Sequence, residues 1–135
     1  MEELKKVLLS EEKEIRELLN ILENQHKLLV KKDIFGLEAI VEEIQNRNKL
    51  VAESEVNRRR VLGKNSLKEV VNNSKDEELD LIYRNIQKLL EEIVLQKETN
   101  DLLIKQQLTF TNRMLNIINP KREIPTYNSY GNMKR

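Results

Sequence analysis

The sequence predicts an all-α protein, an elongated antiparallel helical bundle or coiled coil of three main helices plus a short linker helix. Three observations carry that expectation. Leu and Ile recur at alternating steps of three and four over long stretches. The 135 residues include only three Gly and two Pro, too few to turn a sheet at regular intervals. Charged residues reach 35% and aromatics only 4%, the balance of a helix-former.

The first helix, expected over about 3–31, shows its periodicity at Leu4, Leu8, Glu11, Ile15, Leu18, Leu22, Gln25 and Leu29. Glu11 and Gln25 interrupt the apolar seam, which favours a helix in a small bundle over one strand of a long dimeric coiled coil. Asp33 can accept a hydrogen bond from the free amides of a following turn, so the second helix is expected over about 34–62. Its stripe runs through Leu37, Ile40, Val41, Ile44 and Val51, and Gly63 stands just past its end as a C′ residue. A turn this short packs helices one and two antiparallel. Gly36, in the first turn of helix two, costs helix stability and marks a close approach or an irregular start.

Ser66 to Glu69 and Ser74 to Glu77 both match the capping box, in which Ser and the Glu three residues on satisfy each other's backbone amides. The first box opens a linker helix of one or two turns, about 67–72. The second opens the longest element, about 75–118. From Asp76 to Ile118 there are 43 residues without Gly or Pro, and Pro120 ends the run. At 1.5 Å per residue this helix is about 65 Å long, against about 42 Å for helices one and two, so about 20 Å of it lacks a full-length neighbour in a monomer. The expected organisation is a helical domain over 1–119 and a flexible C-terminal tail over 120–135, the tail being aperiodic and rich in Asn, Pro, Ser and Gly.

Composition excludes most chemistry. Cysteine is absent, which removes disulfides, thiolate metal sites and thiol nucleophiles and suits a reducing compartment, so a cytoplasmic location is expected. The N-terminus is charged at Glu2, Glu3, Lys5 and Lys6, without a signal-peptide core, and no run approaches 18 apolar residues. His26 is the only histidine and reads as a surface residue, and the glycines at 36, 63 and 131 form no phosphate loop. Adjacent carboxylates such as Glu11-Glu12, Glu42-Glu43 and Glu91-Glu92 diverge by about 100° on a helix and share no pocket. No enzyme, cofactor or metal is expected. A net charge of +1 offers no field for nucleic acid or anionic lipid, so neither nucleic-acid binding nor direct membrane insertion is expected.

The informative signal lies within the last helix. Ten of the 24 residues from Asp76 to Thr99 are charged, whereas from Asn100 to Asn119 only Asp101, Lys105 and Arg113 are. Leu102, Leu103, Ile104, Leu108, Phe110, Met114, Leu115, Ile117 and Ile118 fill that second stretch. At 100° per residue they span roughly 240° of the helix, more than one packed face uses. A second surface must cover the remainder, since monomers seldom expose such a patch. That surface is another protein, docked helix on helix, or alternatively the protein's own chain covering both sides internally or a second copy of it in a homodimer. Uncharged Gln106, Gln107, Thr109, Thr111, Asn112 and Asn116 favour an interface, being cheaper to desolvate than Lys or Glu. Two of the five aromatics, Tyr127 and Tyr130, lie in the last nine residues, and Tyr is an efficient interface anchor.

From about Leu8 to Gly131 the sequence resembles the FlgN family of flagellar type III export chaperones. The resemblance runs through Glu12, Leu18-Leu19, Leu28-Leu29, Asp33 to Leu37, Glu43 and Glu55 to Arg58. Its stronger part is Asn100-Asp101-Leu102-Leu103-Ile104, followed by Leu108, Phe110, Met114, Leu115 and Ile118, which looks like the family's Asn-x-Leu-Leu helix. Tyr130-Gly131 matches the family's tail pair, although Asn132 and Met133 replace the acidic residue that follows it and the second Gly is missing. The resemblance implies a chaperone that binds the C-terminal helical segment of hook-associated, hook-filament junction proteins, prevents premature assembly and delivers them to the type III export gate. Client binding would fall on Leu102, Leu103, Ile104, Leu108, Phe110, Met114, Leu115 and Ile118. Contact with the membrane protein of the export gate would fall on Tyr130 and Gly131. The competing expectation is a homo-oligomeric structural coiled-coil protein with no client.

Overall fold

The computed structural model describes residues 2–119 together with 126–127 and 133–134. The architecture is all-α. Among the described residues four helices follow in order, α1 (Glu2–Lys31), α2 (Ile34–Leu62), α3 (Leu67–Ser74) and α4 (Glu77–Ile118). Two dipeptide strands, β1 (Thr126–Tyr127) and β2 (Met133–Lys134), pair antiparallel with Thr126 opposite Lys134 and Tyr127 opposite Met133. The chain divides into two compact units, Met1–Asn100 and Asp101–Arg135.

In the first unit the core is built on α1, whose Leu4, Leu8, Ile15, Leu18, Leu19, Leu22 and Leu29 are all buried. α4 faces this seam with Leu79, Ile82, Ile86 and Leu89, and α3 closes one end with Val71. α2 returns antiparallel to α1 and contributes less: among its apolar residues only Ile40 is fully buried, while Val51, Val61 and Leu62 pack at the margin. Val41, expected on the packed stripe, is exposed instead. It follows Ile40 by one residue, so it points about 100° away from the buried direction.

Local signals explain the helix ends. Asp33 Oδ1 accepts from the Gly36 amide at 3.0 Å and caps α2. Position 36 is closely approached, because a Cβ there would stand 2.7 Å from Leu28 Cδ2 and 2.8 Å from Asp33 Oδ2 and both side chains would have to shift. Gly63 takes φ 62° and donates its amide to the Arg59 carbonyl at 2.9 Å, closing α2.

The two capping boxes do not form as expected. The Ser66 side chain makes no cap hydrogen bond. α3 runs to Ser74 rather than 72, because the Ser74 hydroxyl donates back to the Val71 carbonyl at 2.8 Å and so belongs to the last turn of α3. Lys75, at φ 54°, turns the chain. Asp76 is therefore the cap of α4, accepting from the Glu78 and Leu79 amides at 3.1 and 3.3 Å, and the helix starts at Glu77 rather than 75.

Polar contacts set the register of this unit. Lys5 Nζ reaches Asp76 Oδ2 at 2.7 Å and ties the first turn of α1 to the start of α4. That shared hydrogen bond raises the Lys5 ammonium and holds the Asp76 carboxyl below its usual value, helped by the Leu79 and Glu78 amides. Glu11, one of the two interruptions of the α1 seam, is only 3% exposed. Arg58 Nη1 of α2 donates to its two carboxylate oxygens at 3.3 and 3.2 Å. Burial pushes the Glu11 carboxyl up, Arg58 pulls it down, and the net direction is up.

Removing one partner leaves the other charge uncompensated, whereas removing both exchanges an ion pair for apolar packing. Arg58→Met is expected to destabilise the fold by about 3 kcal/mol, and Glu11→Leu with Arg58→Met to fall within about 1 kcal/mol of wild type, in urea titrations at pH 7. Because the folded-state carboxyl titrates above its unfolded value of 4.5, the contribution linked to its protonation is present below that pH and lost as pH rises through the folded pKa. The Arg58→Met deficit should therefore be largest at pH 7 and shrink as pH falls toward 4.5, since the Glu11 carboxyl left without Arg58 protonates above that value. A deficit that stayed constant from pH 7 to pH 4 would contradict a buried, ionised Glu11.

Candidate partner-binding surface

Asn100 is the last residue of the first unit and is 1% exposed. Its Nδ2 donates to the Leu22 carbonyl and to Gln25 Oε1, each at 2.9 Å, and its Oδ1 accepts from Gln96 Nε2 at 3.1 Å. The side-chain amide is thus satisfied at both ends, as a buried amide must be. Gln25, the second interruption of the α1 seam, is the residue that meets it.

In the second unit α4 continues from Asp101 to Ile118 without Gly or Pro, and the Thr109 hydroxyl bonds back to the Lys105 carbonyl at 2.9 Å. The eight apolar residues expected to bind a partner sort by exposure. Leu103, Ile104 and Leu115 are half-buried. Leu102 is 57% exposed, Leu108 59%, Phe110 59%, Met114 41% and Ile118 74%. Five of the eight are exposed across nearly five turns of helix, and such a run is a surface suited to another apolar face. Beside it, Lys105, Gln106, Thr109, Phe110 and Arg113 line a depression of about 320 Å³. Tyr130 and Gly131, expected at an export-gate contact, lie outside the described residues.

The carboxylate pair Glu11-Glu12 separates as helix geometry requires. Glu11 meets Arg58, while its neighbour Glu12 accepts from Arg16 at 2.8 Å. Among the described residues no group of three or more His, Asp or Glu side chains is placed to hold a metal ion, and no helix is long and apolar enough to cross a membrane. A second concavity of about 360 Å³ lies along the α1–α2 hairpin, between Lys27, Leu28 and Lys31 on one side and Gly36, Ile40 and Glu43 on the other. Sequence reasoning did not single out Glu11, Gln25 or Asn100 as a set of polar ties. The signal available was a polar residue on an otherwise apolar seam, which demands a partner on the facing helix.

A family model described as FlgN protein matches residues 1–135. No curated protein matches the chain, and no solved structure matches it.

The contrast between Asn100 and its exposed neighbours on the same helix is measurable. Asn100→Asp sets a carboxylate against the Leu22 carbonyl and Gln25 Oε1, both acceptors, and is expected to cost about 3 kcal/mol. Leu108→Asp, on an exposed position, should cost less than about 1 kcal/mol. Thermal unfolding followed by circular dichroism distinguishes the two, and equal losses would place Leu108 in a core.

Proposed function

The chain belongs to the FlgN family of flagellar export chaperones, and from that premise we propose that it captures the C-terminal helical segment of hook-filament junction proteins. Capture keeps the segment unpolymerised until delivery to the type III export gate. The observation that carries this reading is the run of exposed apolar side chains, Leu102, Leu108, Phe110, Met114 and Ile118, on a stretch of α4 with only three charges.

The mechanism is burial and mass action. A helical segment that would nucleate filament assembly lays its apolar face on residues 102–118, and each large side chain covered contributes about 1 to 2 kcal/mol. Translational and rotational losses consume a large share of that sum, which leaves a reversible complex and not a permanent one. Only the free client can polymerise, so occupancy lowers the assembling concentration. A competing site at the export gate then draws the complex apart. The tail around Tyr130 and Gly131 is the proposed contact with that gate, and the work is done without catalysis, in the cytoplasm.

Light scattering of the protein alone, and then with the C-terminal segment of a hook-associated protein from the same organism, tests this reading. A 1:1 complex is expected. Leu102→Asp with Leu108→Asp should abolish the complex while leaving helicity near wild type. A homodimer of constant mass, indifferent to the segment, would identify a structural coiled coil instead. Tyr130→Ala should leave client binding intact and reduce secretion of the client, and unchanged secretion would count against a role for the tail.

A further inference from the structure

The near-neutral total charge conceals a division along the chain. Residues 101–135 hold six cations, Lys105, Arg113, Lys121, Arg122, Lys134 and Arg135, against the two carboxylates Asp101 and Glu123, a net of +4. Residues 1–100 hold 18 cations against 21 carboxylates, a net of −3. These sums are taken on either side of the division between the two compact units, and residues 101–118 by themselves hold two cations against one carboxylate, a net of +1. Such asymmetry states the sign of the partner that each part attracts.

The described side chains sharpen the point. In the first unit Lys5, Arg16, Arg47, Arg58, Arg59 and Arg84 pair with a carboxylate, whereas Arg60 has no ion pair among the described residues. Lys105 and Arg113 have no ion pair among the described residues. They flank the depression of about 320 Å³ that Phe110 helps to line. The rest of the chain after Arg113 brings four cations and a single carboxylate, so its charge does not complement these two.

We infer that the segment captured on residues 101–118 is an acidic amphipathic helix, whose carboxylates lie opposite Lys105 and Arg113 while its apolar face covers the exposed Leu, Phe, Met and Ile side chains. This inference rests on the chaperone reading above and names the chemistry of its client. Apolar residues span roughly 240° of this stretch, and Leu102, Phe110 and Ile117 lie on the same side as Arg113. An interfacial membrane helix needs one strongly charged face, which this helix lacks. A nucleic acid would match the charge and leave the apolar side chains in water. A helix with both features satisfies both demands. Charges of this kind act mainly on association, steering the partner before the apolar faces meet.

The test titrates the full chain with the C-terminal helical segment of a hook-associated protein, and with the same segment carrying Asn and Gln in place of its Asp and Glu, at 50 and 300 mM salt. Lys105→Glu with Arg113→Glu should weaken binding of the natural segment about tenfold at low salt, mostly through the association rate, and flatten its salt dependence. The neutralised segment should bind both proteins alike. Binding untouched by the charge reversal at either salt, but abolished by Leu102→Asp with Leu108→Asp, would overturn the acidic partner and leave the chaperone reading standing. Wild-type protein that fails to bind the segment would overturn both. Vesicles of anionic phospholipid held as tightly as the segment, and released by the charge reversal, would assign the cations to a membrane surface and overturn the inference.

Discussion

The apolar seam of α1 is the constraint around which residues 1–100 are arranged. Leu4, Leu8, Ile15, Leu22 and Leu29 must leave water along nearly the whole helix, and α2, α3 and α4 are the surfaces that cover them. Hydrophobic burial alone does not set register, because it is non-directional and tolerates sliding by a turn. The polar interruptions do. Glu11 accepts only where Arg58 arrives, and Gln25 meets Asn100 at one position along α4. Each tie is a weak source of stability and a strong source of uniqueness, since a slipped arrangement would strand a charge or an amide.

Much of this was legible locally. Asp33 and Gly63 act where short-range signals place them, because a cap is satisfied within one turn of the chain. The start of α4 was less so. Ser74 and Asp76 stand two residues apart and both can cap, and tertiary context decides between them: Asp76 also meets Lys5 of α1, while Ser74 completes α3. Val41 and Ile40 likewise cannot be ranked by periodicity alone when only one narrow face of α2 is covered. Glu11 looked like a flaw in a pattern, because its partner lies 47 residues away. The pairing of Thr126–Tyr127 with Met133–Lys134 has no precursor in any sequence pattern of the tail.

The candidate surface was legible in kind and not in detail. Counting charges shows that residues 100–119 differ from the preceding turns of the same helix. Which apolar residues stand in water depends on three-dimensional placement, and there the set divides: Leu103, Ile104 and Leu115 are half covered, whereas Leu102, Leu108, Met114 and Ile118 are not buried to that degree. Charge sign was hidden differently. A total of +1 sums over both units, and only the boundary at Asn100 reveals that the two parts differ in sign.

A chaperone of this kind must bind well enough to suppress assembly and weakly enough to release. On the proposed client-binding reading, the composition of residues 101–118 reconciles those demands. Apolar side chains interspersed with Gln, Thr and Asn keep the free helix soluble while still offering area to a partner, and the uncharged amides and hydroxyls cost little to desolvate. Electrostatic attraction between mostly exposed groups adds speed to the encounter more than depth to the complex, since it is screened at physiological salt. Affinity is then set by how much apolar area the partner covers. On that reading, because the area lies on a single helix, a competitor displaces the client from one end without unfolding the bundle that Asn100 and Arg58 hold in register.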